Sequence, residues 1–344
     1  MRLYSGNAML AKVMAMYGRG LTPLDYENLL SRGTVGEVAA YLKLETGYAS
    51  LLGEIREDVV RREQLENAIR RRALEIYLKL ARYSHADDFL LELFLRRSEI
   101  EQLLQIIRLL SSGEMARYAV ALPAYFSGHM ELDLFKLAEA RSFELLLELL
   151  RKTRYHRLLL PCRPPPGKEA DVTACESALL TGYYADALAL AARRYSGKSA
   201  RAVQELLKLE IDLHNIVLLI RMKRFAGTTP QAIRPYLIGV KAGLSGKALE
   251  DLLGAGEPGA AQERLRAVPA LRGCLPEDGA EIELGFECAR KRVSHHALRY
   301  SRQPVAAVMG YMTLLRIETG NIIHIIEGVR YRLPAEEIRR CLVI

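Results

Sequence analysis

Glu99-Ile-Glu-Gln-Leu-Leu-Gln-Ile-Ile107, Asp212-Leu-His-Asn-Ile-Val-Leu-Leu-Ile220 and Glu318-Thr-Gly-Asn-Ile-Ile-His-Ile-Ile326 are three copies of one pattern: an acid, two residues, an amide, then an apolar run. From 99 to 212 is 113 residues, and from 212 to 318 is 106. Positions i and i+3 share a helix face, so the spacing pairs Glu99 with Gln102, Asp212 with Asn215 and Glu318 with Asn321. The apolar residues that follow, such as Ile216, Val217, Leu219 and Ile220, are dense enough to be largely buried. A buried acid left without hydrogen bonds costs about 1–3 kcal/mol or more. The pattern therefore predicts a structural polar network in each copy, reaching the helix before it. A catalytic carboxylate is the competing reading. It is weakened because the feature occurs three times without a nucleophile, base or metal cluster beside it.

Two more markers recur in the same order. Arg-Tyr-Ser closes a helical run at 82–84, 194–196 and 299–301, and each pattern begins 15 to 17 residues later. A helical run ending in Thr-x-Tyr occurs at Glu37–Tyr48 and again at Glu144–Tyr155. The chain reads as three copies of one helical unit, over residues 1–113, 114–227 and 228–344. Helical solenoid repeats are about 34–47 residues long. A unit near 110 residues is the size of a small domain with its own core.

Helical periodicity runs almost throughout, and convincing period-two alternation is missing, so the fold class is all-α. The spacing predicts helices over 54–81, 87–110 and 206–224, with breakers at Gly18-Arg-Gly20, Ser111-Ser-Gly113, Pro164-Pro-Pro-Gly167, Gly227-Thr-Thr-Pro230 and 254–259. Mean hydropathy is +0.01, and no apolar run approaches the ~18 residues of a membrane span. The start has no apolar signal region.

Five cysteines without a C-x-x-C are expected to be reduced thiols, with neither a disulfide framework nor zinc. Net charge is +8, which permits nucleic acid, anionic lipid or an acidic protein as partner and selects none. Arg61 and Arg62 with Arg70, Arg71 and Arg72 form one basic stretch and Arg221–Arg224 another; the first is a candidate partner contact. Acids are interleaved there and no aromatic platform accompanies it, which argues against nucleic acid. Gly254-Ala-Gly-Glu-Pro-Gly259 matches a dinucleotide loop but follows a helical run where a strand is required. Ser196-Gly-Lys-Ser199 lacks the preceding phosphate cradle, and the seven histidines are scattered. No cofactor and no small-molecule substrate are expected.

Leu209–Arg221, the closing Asn321–Ile338 with its Arg330-Tyr-Arg-Leu-Pro-Ala-Glu-Glu337, Tyr4–Leu10 and Thr46-Gly-Tyr48 together resemble the C-subunit family of V-type and A-type ATPases, whose eukaryotic members are called d subunits. The likeness runs from end to end and departs at Pro164–Lys168, which reads as a loop insertion. It implies three homologous helical domains in a funnel with pseudo-threefold symmetry, and no catalysis of its own. It further implies a rotary connector, peripheral on the cytoplasmic face of the membrane. Its partners would be central-shaft subunits of the D and F type and the membrane proteolipid ring. The coupling ion, H+ or Na+, and the direction, pumping or synthesis, belong to the complex. A helical scaffold docking soluble partners is the alternative, and an enzyme with an unrecognised site comes third.

Overall fold

A computed structural model of the chain describes residues 2–82, 89–226, 228–244, 246–254, 263–266, 268, 271–275 and 282–344. In chain order its helices are α1 (Arg2–Tyr17), α2 (Pro23–Leu30), α3 (Val35–Glu45), α4 (Ala49–Leu52), α5 (Arg62–Ala81), α6 (Phe89–Ser112), α7 (Met115–Ala121), α8 (Leu134–Leu137) and α9 (Phe143–Leu149). They continue with α10 (Arg154–Leu159), α11 (Val172–Arg194), α12 (Gly197–Ala226), α13 (Pro230–Ile233), α14 (Gly246–Gly254), α15 (Ile282–Tyr300), α16 (Pro304–Arg330) and α17 (Ala335–Arg340). No strand occurs among the described residues, and the protein is all-α.

The chain forms two compact units. One joins residues 1–88 to 266–344, and the other spans 89–265. Neither set of limits falls at 113 or 227, so the sequence period and the compact units do not coincide.

In the first unit α16 is the centre. It lies along α15 and also meets α1, α2, α3, α5 and α17. Its apolar run Ile322, Ile325, Ile326 and Val329 joins Tyr26, Leu29, Leu30, Val38, Leu42, Leu52, Leu65 and Ile69 in one buried cluster. The last long helix is thus wrapped by the first seventy residues. At about 1.5–3 kcal/mol per fully buried large apolar side chain, this cluster dominates the stability of the unit. In the second unit α11 packs against both α6 and α12. Ile100, Leu103, Ile106 and Ile107 face inward from α6, Leu179 and Leu180 from α11, and Leu207, Ile211, Ile216 and Leu219 from α12.

Local chemistry sets the helix ends. Thr22 caps α2 in a reciprocal box with Asp25: the Thr22 N–H donates to Asp25 Oδ2 at 2.7 Å, and the Asp25 N–H donates to Thr22 Oγ1 at 3.3 Å. Pro23 fills the first helical position, where no donor is needed. The helix expected over 54–81 starts eight residues late, at Arg62. Arg61 is extended and donates its N–H to Gln64 Oε1 at 3.0 Å, so it serves as a cap. Lys43 on α3 holds the preceding turn through Ile55 O at 2.9 Å and Glu57 at 2.8 Å. Of the other two expected helices, α6 runs two residues further at its C-terminal end, to Ser112, and α12 is longer at both ends. Residues 83–84 of the first Arg-Tyr-Ser, and residues 87–88, lie outside the described set. The breaker expected at 254–259 begins at the last residue of α14, and its residues 255–259 also lie outside that set.

The C-terminal block folds back. Ile338 and Leu342 are buried in the first unit's cluster, whereas Leu333 is 46% exposed. Ile338→Ala is expected to lower the unfolding free energy by about 2–5 kcal/mol, the usual cost of a core truncation. Urea unfolding measures it, and Leu333→Ala serves as the near-neutral comparison.

Candidate functional site

Tyrosine and cysteine aside, six polar or charged side chains fall in the buried class among the described residues, and three of them belong to the repeated pattern: Glu99, Asn215 and Asn321. Their partners come from elsewhere in the chain. Glu99 on α6 accepts the N–H groups of Glu131 and of Leu132, the latter at 3.2 Å, and the hydroxyl of Tyr155. Asp212 on α12 accepts the N–H groups of Gly243 and Leu244, both at 3.0 Å. Glu318 on α16 accepts the Leu21 N–H at 2.9 Å and the Tyr48 hydroxyl at 2.8 Å. Leu21, Leu132 and Leu244 are 111 and 112 residues apart, so the three contacts are equivalent. Each acid holds the segment that opens the following repeat, and the third acid holds the first repeat.

The amides do a parallel job. Asn215 takes both polar groups of Ile238: the Ile238 N–H donates to Oδ1 at 2.8 Å, and Nδ2 donates to Ile238 O at 3.3 Å. Asn321 does the same with Val343, at 3.0 and 3.1 Å. Gln102 instead accepts the Tyr118 hydroxyl at 3.0 Å. A side-chain amide matches a peptide group, so it completes a backbone that no helix or strand satisfies.

The Thr-x-Tyr marker now has a reason. Thr46 Oγ1 donates to Leu42 O at 2.6 Å and Thr153 Oγ1 to Leu150 O at 2.8 Å, closing the ends of α3 and α9. Two residues on, Tyr48 and Tyr155 are buried with their hydroxyls on Glu318 and Glu99. Residues 237–299 contain no tyrosine, and the acid facing that repeat is the shorter Asp212, bound by backbone N–H groups. Gly243 fits this contact closely: a Cβ there would lie 2.7 Å from Asp212 Oδ2.

Glu318 has a further partner. Arg72 on α5 donates to Glu318 Oε1 at 3.0 Å, and its guanidinium carbon lies 3.8 Å from the Tyr48 ring centroid. Only 12% of the Arg72 side chain is exposed. The network therefore reaches the Arg-Tyr-Ser helix of the first repeat; in all three cases its main partners lie in the next repeat, and not on the preceding helix as the sequence led us to expect. The other arginines of the run sit differently. Arg62 pairs with Glu66 and with Glu327, the latter at 2.7 Å. Arg71 pairs with Glu75 at 2.8 Å, Arg70 approaches Glu66 at 4.0 Å, and Arg61 is exposed.

Burial pushes Glu99 and Asp212 above the usual carboxylate range, opposed by the hydrogen bonds each accepts. Burial and the Glu318 charge push the Tyr48 hydroxyl up, which keeps it a donor. These carboxylates face fixed N–H and O–H donors, an arrangement suited to holding backbone in place. Among the described residues no three His, Cys, Asp or Glu side chains could hold a metal ion.

A family model described as ATP synthase (C/AC39) subunit matches residues 9–341. The chain belongs to this family. The C subunit of the A-type ATP synthase of Archaeoglobus fulgidus is 26% identical, over 99% of this chain and 98% of that protein. The corresponding protein of Methanosphaera stadtmanae is 22% identical over 97% and 86%, and that of Thermococcus gammatolerans 28% over 66% and 59%. The family is a non-catalytic part of the A-type ATP synthase, a rotary ATPase.

Two surface residues escaped the sequence reading. Leu24 on α2 and Phe135 on α8 are 68% and 57% exposed. Each is the second residue after a helix cap, Thr22 and Asp133, directly beyond a clamped leucine. Only the repeat register, once fixed by Leu21 and Leu132, reveals their equivalence.

Glu99→Ala strands two backbone N–H groups and a tyrosine hydroxyl in the interior, and is expected to destabilise by about 2–5 kcal/mol. Glu99→Gln keeps an acceptor and should cost far less. Because the folded state holds the Glu99 proton above its ordinary value, the contribution is full below that value and fades as pH rises through the folded one. Urea unfolding at pH 4 and pH 7 should therefore show the Gln variant gaining on the wild type at the higher pH.

Proposed function

We propose that this chain is the connector of an A-type rotary ATPase, coupling a rotating central shaft to the membrane proteolipid ring. The observation that carries this is the family match from residue 9 to 341, with a relative named as the C subunit of an A-type ATP synthase aligned over nearly all of both chains. Its partners are then shaft subunits of the D and F type on one side and the ring on the other, with the chain peripheral on the cytoplasmic face. No helix of the described residues is long and apolar enough to cross a membrane, which supports docking on the ring from outside.

The mechanical argument is one of width. A helix is about 10–12 Å across, so a shaft of a few helices is much narrower than a ring of many. Torque passes only through a body that fills the difference and does not shear. Three repeat units, 1–113, 114–227 and 228–344, each holding the opening of the next by a carboxylate that is buried at Glu99 and half-buried at Asp212 and Glu318, suit that demand.

Removing the chain should uncouple the motor and leave its chemistry intact. In vesicles with and without it, ATP hydrolysis should persist while ion uptake is lost. Undiminished pumping in its absence would sink the connector reading, as would hydrolysis by the purified chain alone.

Partner surfaces should include the exposed arginines of the first unit and the matched apolar residue of each unit. Arg61, Arg70 and Arg71 are the accessible members of the basic run, and Arg62 and Arg72 the ones held by Glu327 and Glu318. Reversing Arg61, Arg70 and Arg71 to Glu should weaken assembly of the complex most at low salt. Leu24→Ser with Phe135→Ser should weaken it at all salt concentrations, with the melting temperature unchanged in both cases. Unaltered co-purification of both variants would move the contact elsewhere.

A further inference from the structure

Residues 1–24 contain three arginines and lysines and no acid; residues 288–317 contain six and no acid. The net charge of the whole chain is +8, so everything outside these two stretches nets −1. The fold brings the two together, because α1 and α15 both pack on α16 in the first unit. The Tyr17 ring of α1 lies edge-on to His295 of α15 with centroids 5.9 Å apart, and the guanidinium carbon of Arg299 is 6.0 Å from the Tyr17 centroid. Elsewhere in this unit Arg62, Arg72, Arg290 and Arg339 are each held by a glutamate. Arg19, Arg299 and Arg302 are exposed and form no ion pair among the described residues. Burial, and then the positive charges of Arg299, Lys291 and His296, hold His295 below its ordinary value. Like charges gathered in this way repel one another, a cost that the chain does not recover within itself.

The third Arg-Tyr-Ser ends in this face and differs from the second. Tyr195 sets its ring edge-on to Phe89 at 5.2 Å, whereas Tyr300 is 71% exposed, 5.1 Å from the His296 ring. We propose that the basic face of α1 and α15 binds the surface of an anionic phospholipid membrane, with Arg19, Arg299 and Arg302 on headgroup phosphates and Tyr300 at headgroup level. Charge and extent together select this occupant. A Cβ on Gly6 would lie 3.1 Å from Pro304 and one on Gly20 2.9 Å from Glu318, so α1 runs alongside α16. Arg19 and Arg302 therefore sit near opposite ends of the stretch of α16 from 304 to 318, about 20 Å at 1.5 Å per residue. Arginines spread so far cannot converge on one phosphate ion. A membrane surface offers phosphates over its whole area, attracts clustered cations, and accepts a tyrosine whose ring is apolar and whose hydroxyl is wet. The proposal rests on these side chains and is independent of the connector reading.

The test sediments the full chain with vesicles of phosphatidylcholine alone and with vesicles containing about a third phosphatidylglycerol. The expected result is roughly tenfold tighter binding to the anionic vesicles, fading as salt rises. Arg19→Glu with Arg299→Glu and Arg302→Glu should abolish that preference. Arg108→Glu with Arg117→Glu and Arg151→Glu makes the same charge change on exposed arginines of the other unit and should keep it. Tyr300→Ser should weaken binding severalfold and leave the melting temperature unchanged. Equal binding of the unmodified chain to both kinds of vesicle would overturn the proposal, a comparison that needs no variant to fold. Equal loss in the two triple variants would also overturn it, since net charge alone would then explain the binding. Capture by immobilised polyglutamate with none by vesicles would overturn it as well and assign the face to an acidic protein. The vesicles hold neither shaft nor ring, so none of these outcomes bears on the connector reading.

Discussion

A carboxylate taken out of water must be met by donors that cannot leave. In this protein the donors are backbone N–H groups and tyrosine hydroxyls supplied by segments distant in sequence. Glu318 is 297 residues from Leu21, and Glu99 is 56 from Tyr155. Lose the segment and the acid is stranded; lose the acid and the segment has no partner for its backbone. That mutual dependence is worth more than a surface ion pair, which in high dielectric contributes about 0–1 kcal/mol. It also fixes geometry, since an N–H donor at 3 Å tolerates little displacement.

The same contacts explain why the sequence period and the compact units disagree. Each acid lies late in one of the repeats read from the sequence and grips the opening of the next, so a compact unit must contain parts of at least two of them. The unit of residues 89–265 holds the first acid with the second repeat's opening, and the second acid with the third's. The unit joining 1–88 to 266–344 holds the third acid with the first repeat's opening. A repeating sequence has in this way been folded by its joints as well as by its cores.

Much of this was legible in the sequence. The helical period gave the all-α class, because an amphipathic stripe is a local property of ten to twenty residues. The acid–amide spacing pointed to a polar network on one helix face. Its partners were not legible, since nothing local to Glu99 names Tyr155 or Leu132. The start of α5 was missed because apolar spacing continues through Ile55 and Val59, while Lys43 and the Arg61–Gln64 cap impose a turn from outside and inside the run. Arg72 reads in the sequence as one of five arginines of a candidate partner contact; Arg61, Arg70 and Arg71 are accessible, and only the tertiary fold turns Arg72 onto Tyr48 and Glu318. Leu333 is exposed while Ile338 and Leu342 are buried, because α17 begins two residues after Leu333 and sets a new face.

A protein of the ATP synthase (C/AC39) family has no reaction to perform, so its residues are best understood by what they hold. The central claim is that three carboxylates lock the openings of three repeats. Native-state amide hydrogen exchange on the full chain tests it most directly. Leu21, Leu132 and Leu244 all lie outside helices, where an ordinary loop amide exchanges with little protection. The account predicts that all three exchange as slowly as the core helices, and that Glu318→Ala releases Leu21 first. Fast exchange of all three amides in the wild type would contradict it.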